Sequence, residues 1–174
     1  MEFEFTLKFT LTADSPSVDE LVERLGAAGC NDALVGIGQS GRIALDFTRE
    51  ADSAKQAIFS ALADVKRAIP AAKLLEITPD FVGLTDVAGL VGVTRQNMRK
   101  LALTHKDSFP AAVHEGSATL WHLFPVLKWL GESANYSIKQ SLLDVAHIAM
   151  QINLTKEASQ IERQDQRELN ELVA

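Results

Sequence analysis

In the first eleven residues the apolar side chains fall on every second position. Phe3, Phe5, Leu7, Phe9 and Leu11 share one face, and Glu4, Thr6, Lys8 and Thr10 share the other. A period of two with one apolar side predicts a half-buried antiparallel strand over 2–12. Ser15-Pro16-Ser17 stops it, and the period then lengthens. Val18, Leu21, Val22 and Leu25 recur at helical spacing behind Ser17, with Glu20 completing a capping box and Gly29 as the stop. Residues 33–37 and 42–47 are apolar segments joined across Gly38-Gln39-Ser40-Gly41, the pattern of a hairpin. A second helix is predicted over 51–69 from the stripe Ala54, Ala57, Ile58, Leu62, Val65 and Ile69, ended by Pro70. Residues 73–77 then form one more strand. Strand, helix, strand, strand, helix, strand is the order of a ferredoxin-like split βαβ domain, predicted for residues 1–80.

Residues 84–131 follow a different pattern. Leu84-Thr85 precedes a short helix that turns Val87, Leu90 and Val91 inward; Gly92-Val93 makes a tight turn, and Thr94 caps a second helix running to about 104. After the break at Ser108-Phe109-Pro110, residues 111–114 and 118–121 flank Glu115-Gly116-Ser117 as a small hairpin, with His114 and Ser117 as its polar contacts. Phe124-Pro125 opens another helix with Val126, Leu127, Trp129 and Leu130 on its apolar side. From Ser137 onward the pattern is helical. Ile138, Leu142, Val145, Ala149 and Ile152 keep a spacing of three to four, then thin to Ile161, Leu169 and Leu172. The expectation for 137–172 is a long amphipathic arm that needs a partner, either a second copy or the chain's own N-terminal domain. Altogether the pattern predicts an α+β chain with three parts.

Charge narrows the function. The chain of 174 residues carries a formal net charge of −6, which argues against nucleic acid as a partner of the whole surface. Its distribution argues differently. Residues 1–80 hold eight Lys/Arg against thirteen Asp/Glu, whereas 84–136 hold five against four. The densest basic run, Arg95, Arg99 and Lys100, falls on the second helix of the central module. With Met98 as the buried direction, Leu101 and Ala102 flank it, while Gln96, Lys100 and Leu103 point opposite and Asn97 and Arg99 lie to the sides. Gln and Asn pair bidentately with the major-groove edge of adenine, and Arg and Lys reach guanine or phosphate. The backbone N–H groups at Thr85 and Thr94 are further phosphate donors.

Residues Leu84-Thr85-Asp86-Val87-Ala88-Gly89-Leu90-Val91-Gly92-Val93-Thr94-Arg95-Gln96-Asn97-Met98-Arg99-Lys100-Leu101 resemble the helix-turn-helix of the MerR and excisionase-like (AlpA-type) winged regulators. Phe109-Pro110, Leu120-Trp121 and Val126-Leu127-Lys128-Trp129-Leu130 resemble their wing and closing helix. The resemblance covers about 84–131. It implies a (winged) helix-turn-helix DNA-binding module, usually dimeric, with Thr94, Arg95, Gln96, Asn97, Arg99 and Lys100 at contact positions of the recognition helix. His105 and Lys106, just beyond that helix, extend the expected DNA-binding set. The chain departs from the family in its acidic N-terminal domain and in having no cysteines near the final helix. The expected function is sequence-specific binding of double-stranded DNA as a homodimeric transcriptional regulator. The alternative is a protein–protein adaptor in which 84–131 docks a partner.

Other chemistry is weaker. Gly36-Ile37-Gly38-Gln39-Ser40-Gly41 matches GxGxxG, yet Ile43, Leu45 and Phe47 alternate after it, so no helix N-terminus follows to hold a pyrophosphate. His105, His114, His122 and His147 lack metal-ligand spacing. No nucleophile–base pair is evident, so neither metal, cofactor nor catalysis is expected. Trp121 and Trp129 sit among leucines and read as packing. In residues 1–80 no convergent polar set marks a pocket; protein interaction or dimerisation ranks first there, with a small-molecule effector left open. The single cysteine, Cys30, fits a reducing compartment, and MEFEFTLKFT alternates rather than forming a signal-like segment. No apolar run approaches the ~20 residues of a membrane span. A cytoplasmic location is expected.

Overall fold

The computed structural model describes residues 1–36, 38, 41–162 and 165–173. It is a mixed α+β chain. The alternating segments become β1 (Glu2–Thr10), β2 (Ala33–Gly36), β3 (Arg42–Glu50) and β4 (Lys73–Thr78), an antiparallel sheet in the order β2-β3-β1-β4. Phe5 lies opposite Phe47 and Leu7 opposite Leu45, so the apolar residues of both strands fall on one face. Two helices, α1 (Val18–Ala27) and α2 (Ala54–Ala68), cover that face with Leu21, Leu25, Ala57, Ile58, Ala61 and Val65. Of the expected α1 stripe, only Leu21 and Leu25 are buried; Val18 and Val22 are exposed. The capping box is half formed. Ser17 Oγ accepts the Glu20 N–H at 3.4 Å, but the Glu20 carboxylate pairs with Arg24 at 2.6 Å instead of reaching back. In the expected hairpin, Ile37, Gln39 and Ser40 lie outside the described residues, and Gly41 leads directly into β3, a strand rather than a helix.

β5 (Phe81–Val82), β6 (His114–Glu115) and β7 (Thr119–His122) make a second small sheet in the order β5-β7-β6. Around it lie α3 (Leu84–Val91), α4 (Arg95–Thr104) and α5 (Leu123–Ser133). Val82, Val87, Ala88, Met98, Leu123, Val126, Leu127 and Leu130 form their core. Contrary to expectation, α3 begins at Leu84 itself, and Leu90 points outward at 44% exposure, because Val87 and Ala88 fill the inward direction.

The C-terminal segment finds its partner within the chain. α6 (Gln140–Ala158) is built into both cores. Val145 and Ala149 pack into the first, with Ile148 and Ile152 against it, whereas Ala146, Leu142 and Leu143 pack into the second. Its partner is therefore the chain's own body. After a turn, with Arg163 and Gln164 outside the described residues, α7 (Gln166–Val173) follows; none of its residues is buried. Ala174 also lies outside the described residues. Among the described residues, no helix is long and apolar enough to cross a membrane.

A buried polar joint locks α6 to both parts. The Asn153 carboxamide donates to Ile77 O (2.8 Å) and accepts the Ile77 N–H (2.9 Å), closing two backbone groups of edge strand β4. The same amide nitrogen donates to Asp80 Oδ2 at 2.8 Å. Asp80, fully buried, also takes His122 Nδ1 at 2.7 Å, and its carbonyl accepts the Leu123 N–H, the first of α5, at 2.7 Å. With the carboxylate ionised, Nδ1 is the donor.

Candidate nucleic-acid interface

The turn between α3 and α4 is made by local chemistry. Gly92 adopts φ 73°, the left-handed conformation that ends a helix at least cost in glycine. Thr94, extended at φ −75° and ψ 149°, accepts the Asn97 N–H on Oγ1 at 3.1 Å and so starts α4. Met98, wholly buried, is the one fully buried anchor of α4, and Leu101 and Ala102 are half-buried beside it. Everything else on α4 faces outward. Among the described residues, no side-chain hydrogen bond or ion pair engages Arg95, Gln96, Arg99, Lys100 or Lys106, although all are exposed. Several cations elsewhere behave differently: Lys8, Arg24, Arg49 and Arg67 each hold a carboxylate.

Two sets of residues separate on this surface. Arg95, Arg99 and Lys106, with Thr85 from the first turn of α3, line a groove of about 950 Å³ between α4 and the β6–β7 hairpin. Glu115, Ser117 and Thr119 from the hairpin line it too, as does Asp107 just beyond α4. Gln96, Asn97 and Lys100 are exposed on α4 but stand outside the groove, so hydrogen-bonding amides and groove cations occupy different sides of one helix. The Thr94 hydroxyl is committed to its cap. At the carboxyl end of α4, the His105 ring lies 5.5 Å from that of Trp129, and His105 O accepts the N–H groups of Ser108 and Phe109, which gives this residue a packing and turn-forming role. His114 sits in β6 at the hairpin, exposed. Phe109 packs edge-on against both Trp121 and Trp129, holding the hairpin to α5.

Sequence reasoning missed several polar residues. Arg49 lies on the apolar face of β3 with Ile43, Leu45 and Phe47, and that placement of a charge was a legible sign of buried partners. It holds Asp32 through two bonds (2.6 and 2.9 Å), Asp64 at 2.9 Å and Ser60 at 3.0 Å. The hydrogen bond from Arg49 holds the Asp32 carboxyl below its ordinary range. Cys30 is buried, and its thiol is pushed up to about 11 by burial and by the nearby Asp64 carboxylate. Among the described residues, no group of three or more His, Cys, Asp or Glu is placed to hold a metal ion.

No protein-family model, curated protein or solved structure matches this chain.

Proposed function

We propose that the chain is a sequence-specific double-stranded DNA-binding transcriptional regulator. In this reading residues 84–131 form a winged helix-turn-helix of the MerR or excisionase-like kind, and residues 1–80 form a ferredoxin-like domain attached to it. The strand order β2-β3-β1-β4 under two helices supports the second assignment. The observation that carries the function is α4: anchored by buried Met98, it turns unpaired Gln96, Asn97, Arg99 and Lys100 to solvent. A helix of ~10 Å diameter fits a major groove about 12 Å wide. Gln96, Asn97 and Lys100 would then meet base edges, while Arg95, Arg99 and Lys106 draw a phosphate strand into the groove beside the hairpin. Thr85 adds its N–H to that strand.

The regulator acts as a homodimer in this proposal, two α4 helices spaced roughly 34–36 Å apart on an inverted repeat. The uncovered apolar residues Leu169, Leu172 and Val173 of α7 supply contact area for a second copy. Its activity is binding, without a catalytic step, and its place is the cytoplasm.

A second reading rests on Leu103, which is 66% exposed on the outward side of α4. It suits a thymine methyl, but equally an apolar protein partner, as in an adaptor. Salt separates the two. Binding to a mixed-sequence duplex should fall steeply between about 50 and 200 mM salt, with a log–log slope of roughly −0.9 per phosphate neutralised. A flat salt response, or binding absent even at 50 mM, would favour the adaptor.

A further inference from the structure

The first sheet has two edges, and the chain treats them differently. At β4, Asn153 of α6 bonds both the N–H and the C=O of Ile77. At β2 nothing comparable covers the backbone. Asp32 O accepts the Thr48 N–H at 3.1 Å, and Leu34 and Gly36 stand opposite Asp46 and Ala44. In an antiparallel ladder every second residue bonds to the neighbouring strand. With Asp32 in phase, Leu34 and Gly36 turn their backbone groups to β3, and Ala33 and Val35 turn theirs outward. Cys30 O takes the Ala33 N–H at 3.3 Å. The Ala33 C=O and both backbone groups of Val35 are left without a partner among the described residues. Open edges recruit other strands unless a charge, a proline or a bulge blunts them, and Ala33-Leu34-Val35-Gly36 has none of these.

Both layers of this domain are apolar at that edge. On the outer face of the sheet, Leu34 is 73% exposed. On the helix side, α1 crosses from β1 to β2 and α2 from β3 to β4, so α1 lies toward the β2 edge. Ala28, at one flank of the α1 stripe, has its carbonyl held by Arg67 of α2 at 2.9 Å. The opposite flank carries Val18, Val22 and Gly26 at intervals of four and therefore turns to the open edge. Both valines are exposed. A lone peptide strand would satisfy the backbone of β2 and leave the valines of α1 uncovered. A partner with a strand and a helix at its own edge covers both layers, and a second copy of this edge has that form.

We propose that two copies of the chain join through β2, antiparallel across a two-fold axis, with Val35 facing the partner's Val35. Each Val35 N–H then donates to the other's C=O. In this register Leu34 stands opposite the partner's Gly36, a close non-bonded pair in which the exposed leucine meets a residue without a side chain. Along that row Asp46, Leu34, the partner's Gly36 and the partner's Ala44 follow one another, so no like charges are brought together. Strands about 4.8 Å apart allow ~9.6 Å for each of two helices over four strands. The partner's α1 thus arrives at an ordinary helix-packing distance of roughly 8–10 Å, with Val18 and Val22 between the two helices. The two four-stranded sheets become one continuous sheet. Because each chain has one open edge and Asn153 closes the other, assembly stops at two copies. The pairing rests on neither the DNA reading nor α7.

Sedimentation equilibrium of the full chain, without DNA, tests it. The mass should be twice the 18.9 kDa of one chain at about 50 µM, a concentration well above a low-micromolar Kd. Leu34→Lys places two ammonium groups on diagonal neighbours ~7–8 Å apart, and Val35→Pro removes both inter-chain donors while no internal bond is lost. Each should raise the dimer Kd at least ~10-fold. Leu34 is exposed, so the far-UV circular dichroism of Leu34→Lys should match that of the parent chain. The register has its own signature: the Val35 amide should exchange with deuterium more slowly as chain concentration rises, and Leu34→Lys should abolish that dependence. A monomeric parent chain at the same concentration, a dimer that both variants leave intact, or Val35 exchange indifferent to concentration would overturn the pairing. A dimer that survives both variants and dissociates in Leu169→Glu with Leu172→Glu would overturn it in favour of α7. With no duplex present, failure of the DNA reading leaves each of these outcomes unchanged.

Discussion

Replacing Asn153 by alanine should be among the most damaging single changes in this protein. The side chain is 1% exposed and makes three hydrogen bonds, two to the backbone of Ile77 and one to Asp80 Oδ2. Each neutral bond is worth about 1 kcal/mol, and the one to a carboxylate about 2. Truncation also leaves the Ile77 N–H and C=O and one oxygen of fully buried Asp80 without their partner, in a place shared by both cores. Alanine returns roughly 0.5 kcal/mol through its better helix propensity. The expected net loss is about 4 kcal/mol, or roughly 10 °C in Tm for a chain of this size. Urea titration followed by tryptophan fluorescence reports the second core, where Trp121 and Trp129 both lie, and far-UV circular dichroism reports the whole chain. Both transitions should shift together, because α6 is common to both cores. Gln151→Ala, which removes an exposed contact to His147, should change stability by less than ~0.5 kcal/mol. A loss under about 1 kcal/mol for Asn153→Ala would refute the joint.

On the proposed interface, Gln96→Ala should relax sequence preference more than it lowers binding to random duplex. Arg99→Ala should weaken binding to all sequences and reduce the salt slope by about one phosphate; equal losses on specific and random DNA for Gln96→Ala would contradict the division of labour. Asp32→Asn should cost about 2 kcal/mol at pH 7, discounted because the Asp32 side chain is 30% exposed and Arg49 keeps Asp64. The carboxyl of Asp32 is lowered in the folded state, so its contribution is present above the unfolded value near ~4 and is lost as pH falls through the folded one. Urea midpoints of the two proteins should therefore converge below about pH 4; a constant gap down to pH ~2 would argue against the pair. Cys30, with its thiol raised to about 11 and 4% exposed, should react with a disulfide reagent at pH 8 no faster than the protein unfolds. Rapid labelling of the folded chain would contradict its burial.

Local pattern was sufficient for much of this fold. The alternation of Phe3, Phe5, Leu7 and Phe9 carried β1, and Gly92 with Thr94 carried the α3–α4 turn, because backbone conformation and capping are decided by neighbours in sequence. The exposed set on α4 followed from the same periodicity around Met98. Contacts across long separations stayed hidden. Asn153 and Ile77 are 76 residues apart and His122 and Asp80 are 42 apart, so no spacing rule links them. α6 looked like an arm because its apolar residues serve two cores on different sides, which blurs a single stripe. β5 has only two residues and depends on pairing with β7, leaving no period to detect. A cleft lined by Ser141 likewise joins β1, β3, β4, α3 and α6, five elements that meet only after folding.

The decisive experiment on DNA binding by α4 is selection of bound sequences from a random double-stranded DNA library, with the purified full-length protein at low salt. Enrichment of an inverted repeat with half-sites about one helical turn apart is expected, and it should be lost in Gln96→Ala with Asn97→Ala. A folded protein that enriches no sequence would contradict DNA binding and leave α4 as a surface for protein partners.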